Sequence, residues 1–443
     1  MTQEAYLTST SRAIDPTTAV TLGERVRAAR RELGLSQSQL AGTELTKGFI
    51  SQIESGLVRP SVRSLQVIAN RLGKSLDYFL GDEPLASGKR REFHQLGALA
   101  ALEARDLPSA RASIAAALAE SPTGSERAKL YAIRARISIA DHQLEQAFDD
   151  VANGLAGLDP ERDAETVTDL LCRRGQAYFE LGHLGAAAEA FEAARDLIER
   201  HELTDPRLRA QLLVALGTTY RRLNRSSKAI ATYEAALALA SRSSLLELVA
   251  RSFMGVAVTM YDSGEYDGAI SNYRRALEIW QKLADVSFEL STMHSLAAVY
   301  FDAGDRERAR ETAKLCLDRA RSADDSRNAA VASVELARIA LSDGDARGSL
   351  DLATEAERSL RGLGDAYQDA WALRAMGEAA DAMSDHDASD VAYRQAIDLA
   401  SSVDHLAARS AIAAEYAQKL RARGEIDQAF EMLDLARGVS AKR

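Results

Sequence analysis

Apolar residues recur at spacings of three and four along most of the chain, broken by short polar links, and this periodicity predicts helices throughout. The first five patterns are short. Leu22, Val26, Ala29 and Leu33 form one apolar stripe ending at Gly34, and Ser36 with Gln39 makes a capping box ahead of Leu40 and Ala41. Thr46 caps a third helix with Ile50 and Ile53 facing inward, stopped by Gly56. Pro60-Ser61 starts a fourth containing Leu65, Ile68, Ala69 and Leu72, and Ser75 caps a fifth that buries Leu76, Phe79 and Leu80. Residues 1–20 precede these helices as a flexible arm, the helices fill 21–81, and the polar, Pro- and Gly-broken stretch 82–91 reads as a linker.

Beyond that linker, residues 92–443 repeat. Turns fall at Arg105, His142, Gly182, Asn224, Gly264, Gly304, Gly344, Ser384 and Gly424, at intervals of 37 to 42 residues. A small residue stands seven positions before each turn, as at Gly175, Gly217 and Ala257, and others stand five and twelve positions after it. Between the last two sits a bulkier residue in most copies, among them Ile114, Val151, Phe191, Tyr233, Tyr273 and Tyr393. Small residues where two helix backbones cross, with a bulky plug one turn away, are what close antiparallel helix packing requires.

Composition sharpens this picture. The chain has 443 residues and 7 prolines, none beyond Pro206, as an uninterrupted succession of helices would have. Net charge is −10, unevenly divided: residues 21–80 carry nine Lys/Arg against five Asp/Glu, so a basic head precedes an acidic body. No apolar run is long enough to span a membrane, and Met1–Thr18 lacks the apolar core of a secretory signal. Two cysteines, Cys172 and Cys316, make no disulfide framework, which fits a cytoplasmic protein. Asp343-Gly344-Asp345 and Asp385-His386-Asp387 fall at turns and serve the backbone there. No nucleophile elbow, phosphate loop or metal-ligand spacing occurs, so no catalytic residue, metal or cofactor is expected, and no enzyme activity.

The head carries a resemblance. Its segments LGLSQSQLA, ISQIESG and RPSVRSL are similar, at matching spacing, to the phage-repressor (XRE) helix-turn-helix family over about 60 residues. The resemblance implies that the third helix enters the major groove of a double-stranded DNA operator. Lys47, Gly48, Ser51 and Gln52 would then face base edges, while Gln37, Thr46 and Arg59 would contact phosphates. Glu54 is expected to be structural. Gly48 departs from the family, many of whose members place a reading side chain there.

The repeats resemble the tetratricopeptide repeat, most clearly over Gly175–Ala194, Gly217–Ala236 and Ala257–Ala276. This implies an all-α fold in which the head precedes a right-handed superhelical array of about nine helix pairs whose first helices line a groove. Groove positions would include Asp169, Arg173, Gln176, Gln211, Thr218, Arg251, Met254, His294, Arg338, Arg374 and Glu378. The combined architecture resembles the RRNPP peptide-pheromone receptors, which implies a homodimeric transcription regulator of quorum-sensing type, with a short peptide in the groove. None of the groove positions is asparagine, the residue that commonly clamps the peptide backbone in that group. A regulator whose groove takes a protein partner, and a scaffold without ligand sensing, are the alternatives.

Overall fold

The computed structural model describes residues 22–42, 45–58, 60, 62–74, 78–79, 87–402 and 406–437. Among these every regular element is a helix, and the chain divides into two compact units, residues 1–158 and 159–443.

The first unit begins with four short helices, α1 (Leu22–Glu32), α2 (Gln37–Ala41), α3 (Lys47–Glu54) and α4 (Val62–Leu72). Their apolar faces meet in a core of Val26, Ala29, Leu40, Ile50, Ile53, Leu65, Ile68 and Leu72. Leu33 differs from the expectation: α1 stops one residue earlier, and its side chain is half exposed. The expected fifth helix lies mostly outside the described residues, although Phe79 from it is wholly buried in the same core. Ser36 makes the expected capping box, accepting from Gln39 N at 3.2 Å while the Gln39 side chain accepts from Ser36 N at 2.8 Å. Thr46 caps α3 by accepting from Phe49 N at 3.1 Å.

Two helix pairs complete this unit, Ser87–Glu103 with Leu107–Ala119 and Gly124–Ala140 with Leu144–Leu155. Ser87 to Arg91, which sequence assigns to the linker, form the first turn of a helix. Arg90 pairs with Glu120 at 2.9 Å and Arg91 with Glu126 at 2.6 Å, and Phe93 packs on the core of the head.

The second unit contains seven more pairs, from Ala164–Glu180 with Leu184–Arg200 to Leu406–Ala422 with Ile426–Ala436. Most of its helices run 17 or 18 residues with links of two or three, so longer helices, and not longer links, fill the forty-residue period. All nine turn positions found in the sequence have positive φ, from His142 at 54° to Gly344 at 88°. At each, the turn residue's N–H returns to the carbonyl three residues back and the next N–H to that five back, as in Gly264 to Tyr261 O and Glu265 to Met260 O, both 2.9 Å. This closes the orphan carbonyls of the first helix and reverses the chain. Asp305, Asp345 and Asp385 then cap the next helix through the N–H of Arg308, Gly348 and Ala388.

Packing inside the pairs explains the small residues. A Cβ on Gly217 would lie 2.9 Å from the Tyr233 ring, and one on Gly255, in the following pair, only 2.2 Å from it. The plug therefore touches the backbone of two successive first helices, and Gly255 is as necessary as the glycine in the repeat pattern. Cys316 sits fully buried at a small-residue site, and burial pushes its thiol up to about 12, so it is unreactive.

Candidate nucleic-acid interface and ligand face

The reading face of α3 depends on how α3 is held. Glu54, 3% exposed, ends the helix and is surrounded by donors. Arg30 gives Nε at 2.5 Å and Nη2 at 2.9 Å, Gln37 gives Nε2 at 2.9 Å, and Arg27 reaches it at 3.4 Å and donates to its main-chain oxygen at 3.0 Å. Burial opposes ionisation of this carboxyl, but the bonds from Arg30, Gln37 and Arg27 outweigh it and hold the group below its ordinary range. One carboxylate thus ties α3 to α1 and to the start of α2. Gly23 allows this approach, because a Cβ there would lie 2.3 Å from Ile53 O.

With Ile50, Ile53 and Glu54 turned inward, the opposite face of α3 is polar and solvent-facing. Lys47, Gly48 and Gln52 are exposed and Ser51 is half-buried. Thr46 spends a hydroxyl lone pair on its cap and keeps its proton for another acceptor. Gln37 is committed to Glu54 through one amide hydrogen, which leaves its second N–H. Arg59 lies outside the described residues. Sequence reasoning missed Arg27, Arg30 and Gly23; the i,i+3 pair Arg27/Arg30 on one face of a helix is the signal that pointed to them.

On the first-helix face of the repeats, some expected residues come together and others are absorbed by packing. Arg173 binds Asp169 at 2.6 Å and Gln176 at 3.0 Å. Arg251 pairs with Glu247 at 3.1 Å and lies over the Phe288 ring, and Gln211 is exposed. Thr218 bonds Tyr233 OH at 2.8 Å, and the Met254 sulfur accepts from Trp280 Nε1 at 3.3 Å, so both serve the interior. Burial, with Arg327 nearby, pushes the His294 imidazole down to about 4, leaving it neutral near pH 7.

Further along, the arginines are held by acids of which sequence reasoning singled out only Glu378. Arg338 binds Asp302 at 2.9 Å and Glu335 at 3.0 Å, and Tyr261 donates to the same Asp302. Arg374 binds Glu415 at 2.7 Å and Glu378 at 3.2 Å, and Tyr393 OH donates to Glu415 at 2.7 Å. Glu335 and Glu415 occupy the same repeat register, two periods apart, which is the pattern that reveals them. Burial raises the Glu335 carboxyl despite Arg338. Among the described residues, no group of three His, Cys, Asp or Glu side chains could hold a metal. No described helix is long and apolar enough to cross a membrane.

Comparison with known proteins agrees with these two regions. Residues 26–79 match the helix-turn-helix family, and residues 168–200, 210–242 and 248–322 match tetratricopeptide-repeat families. The chain therefore carries a helix-turn-helix domain of phage-repressor type ahead of a tetratricopeptide-repeat array. An immunity repressor protein of Bacillus phage phi105 is 32% identical over 76 residues, 17% of this chain and 53% of that protein. The chain spans about half the length of the curated relatives it matches.

Two solved structures share the fold of the array. A Rap protein in complex with competence and sporulation factor aligns with a TM-score of 0.59 at 13% identity, covering 80% of this chain and 98% of that one. A signal-transduction ATPase with a tetratricopeptide-repeat sensor, from Pyrococcus horikoshii, aligns at 0.56 and 14% identity, covering 83% and 58%. Such different proteins carrying one array show that the array defines a fold and leaves its ligand open.

Proposed function

We propose that this chain is a sequence-specific DNA-binding transcription regulator whose repeat array senses a ligand. The observation that carries the reading is the polar outer face of α3, held on a buried charged hub inside a domain that matches the helix-turn-helix family. In this reading residues 21–81 are the head and 92–443 the sensing array. Lys47, Gly48, Ser51 and Gln52 meet base edges, with Lys47 donating to guanine and Gln52 bidentate to adenine. Gln37, Thr46 and Arg59 take phosphates, the first two through the protons their internal bonds leave free. The regulator works in the cytoplasm as a homodimer, so that two heads span two half-sites.

A short peptide is the ligand class we propose for the array. Its main-chain amides need polar partners, and Gln211, Gln176 and Arg251 on the third to fifth helix pairs offer them. Arg338, Arg374 and Glu378 are saturated by internal ion pairs and act in this reading as scaffold. That saturation also favours the second reading, in which a protein partner covers the face without entering these pairs.

The test is a selection from random duplexes with the full chain, followed by calorimetry of the chain with extracts fractionated to short peptides. Recovery of no preferred duplex would overturn the regulator reading. A preferred duplex with no heat from any peptide fraction, but capture of a protein, would move the array to the second reading.

A further inference from the structure

Helices Ala346–Leu363 and Ala366–Ala382 pack against each other where the seventh helix pair meets the eighth. Two carboxyl groups are buried at this seam. Asp369, in the first turn of the later helix, is 4% exposed, and its Oδ1 meets no hydrogen-bond donor. Glu357, on the earlier helix, is 7% exposed.

The repeat register shows how unusual this pair is. Two periods before Asp369 stands Glu289, also buried, but Arg319 binds it at 2.9 Å and Gln281 donates to it at 3.1 Å. Two periods on, the position of Arg319 is Leu399 in the eighth pair, and that of Gln281 is Arg361 in the seventh, whose guanidinium goes to Glu357 instead. Glu357 itself stands where neighbouring repeats carry Leu277, Leu317 and Ile397. The seam has thus gained a second acid and lost the cation that would neutralise the first.

We propose that Asp369 and Glu357 form a pH-gated joint: protonated Asp369 lets the seventh and eighth pairs close, and its ionisation loosens the seam between them. The charged groups acting on Asp369 are Glu357 and Arg361 of the preceding helix and Asp365 in the turn. Arg327, from helix Ser326–Ser342, is engaged by Asp365 at 2.6 Å. Burial is the largest influence, Glu357 adds repulsion, and Arg361 opposes them; the result pushes the Asp369 carboxyl up to about 6. The positive end of the helix dipole at the start of Ala366–Ala382 favours a charged Asp369, but it is spread over the first turn, whereas burial and Glu357 act directly on the group.

The sign follows from linkage. A carboxyl whose folded value lies above its unfolded value of about 4 favours the folded state in acid, and that gain is lost as pH rises through about 6. The joint is therefore tight near pH 5 and loose near pH 7.5. A seam that opens over this interval changes the curvature of the array by acidity alone, without any ligand.

The experiment compares the full chain with D369N, D369V (the residue at this register in the fifth pair is Val249) and E357Q. Melting temperature is read from pH 5 to 7.5, with hydrogen exchange of peptides covering 346–382 corrected for intrinsic pH dependence. The wild type should exchange several-fold faster in these peptides at pH 7.5 than at pH 5. At least one Asp369 variant should melt higher than wild type at pH 7.5, with a gain that shrinks toward pH 5, and E357Q should gain less. Exchange that is flat with pH in the wild type, or Asp369 variants that lose equally at both pH values, overturns the proposal.

Discussion

In the head, a single carboxylate collects donors from three side chains on two other helices, and the orientation of α3 depends on it. In the array such hubs recur along the repeats instead of standing alone: Asp150 collects Arg134, Ser138 and Gln146, and Asp381 collects Arg423 and Lys419. Each helix pair is closed by the same left-handed turn and the same small residues, most of them with a bulky plug, so the load is shared among many similar contacts. The difference suits the two tasks proposed for these regions. A reading helix must hold one geometry, which a buried ion hub enforces because any other arrangement strands a charge. A sensing array must have more than one arrangement of similar energy, and repeated, mostly apolar seams allow that.

The largest effect that would break this contrast is Glu54→Ala, which leaves Arg30 and Arg27 without their partner. It should cost the head about 3–5 kcal/mol and abolish operator binding, while the melting of residues 159–443 stays put. Calorimetry should resolve the two transitions; equal loss in both would show that the hub is not confined to the head. Gly255→Val is the counterpart in the array, since a Cβ there meets the Tyr233 ring at 2.2 Å. It should destabilise the array by about 1–3 kcal/mol and leave the head's transition unchanged.

Smaller changes sharpen the comparison. Asp305→Ala removes one helix cap among nine similar turns and should cost about 1 kcal/mol by denaturant titration, as should Asp345→Ala. The head should also be the more acid-sensitive region. The Glu54 carboxyl is held below its ordinary range when folded, so its contribution is present above about pH 4.3 and is lost as pH falls through the lower folded value. Chemical denaturation of the head at pH 7 and pH 3 checks this, and Glu54→Gln should flatten the difference.

Much of this architecture is legible in the sequence because it rests on local chemistry repeated nine times. The turn at Gly264 or Asn224 needs a residue that accepts positive φ, and small residues such as Ala257 and Ala269 must recur wherever backbones cross. What escaped is non-local. Gly255 serves the plug of the preceding pair, so its reason lies outside its own repeat. Arg338 and Arg374 stand at expected groove positions, yet acids on the first helix of a neighbouring pair claim them, and nothing in their own helix announces Asp302 or Glu415. Gln37 was legible as a polar residue at a helix start, but its bond to Glu54, 17 positions on, is a tertiary fact.

The central claim is that Lys47 and Gln52 read bases from a helix fixed by Glu54. It is tested most directly by anisotropy titration of the full chain and its Lys47→Ala/Gln52→Ala variant with a selected duplex and a scrambled one. Each substitution should cost about 1–3 kcal/mol on the selected duplex, leave the preference over the scrambled one largely erased, and leave thermal stability unchanged. Equal affinity of wild type and variant for both duplexes would contradict the account.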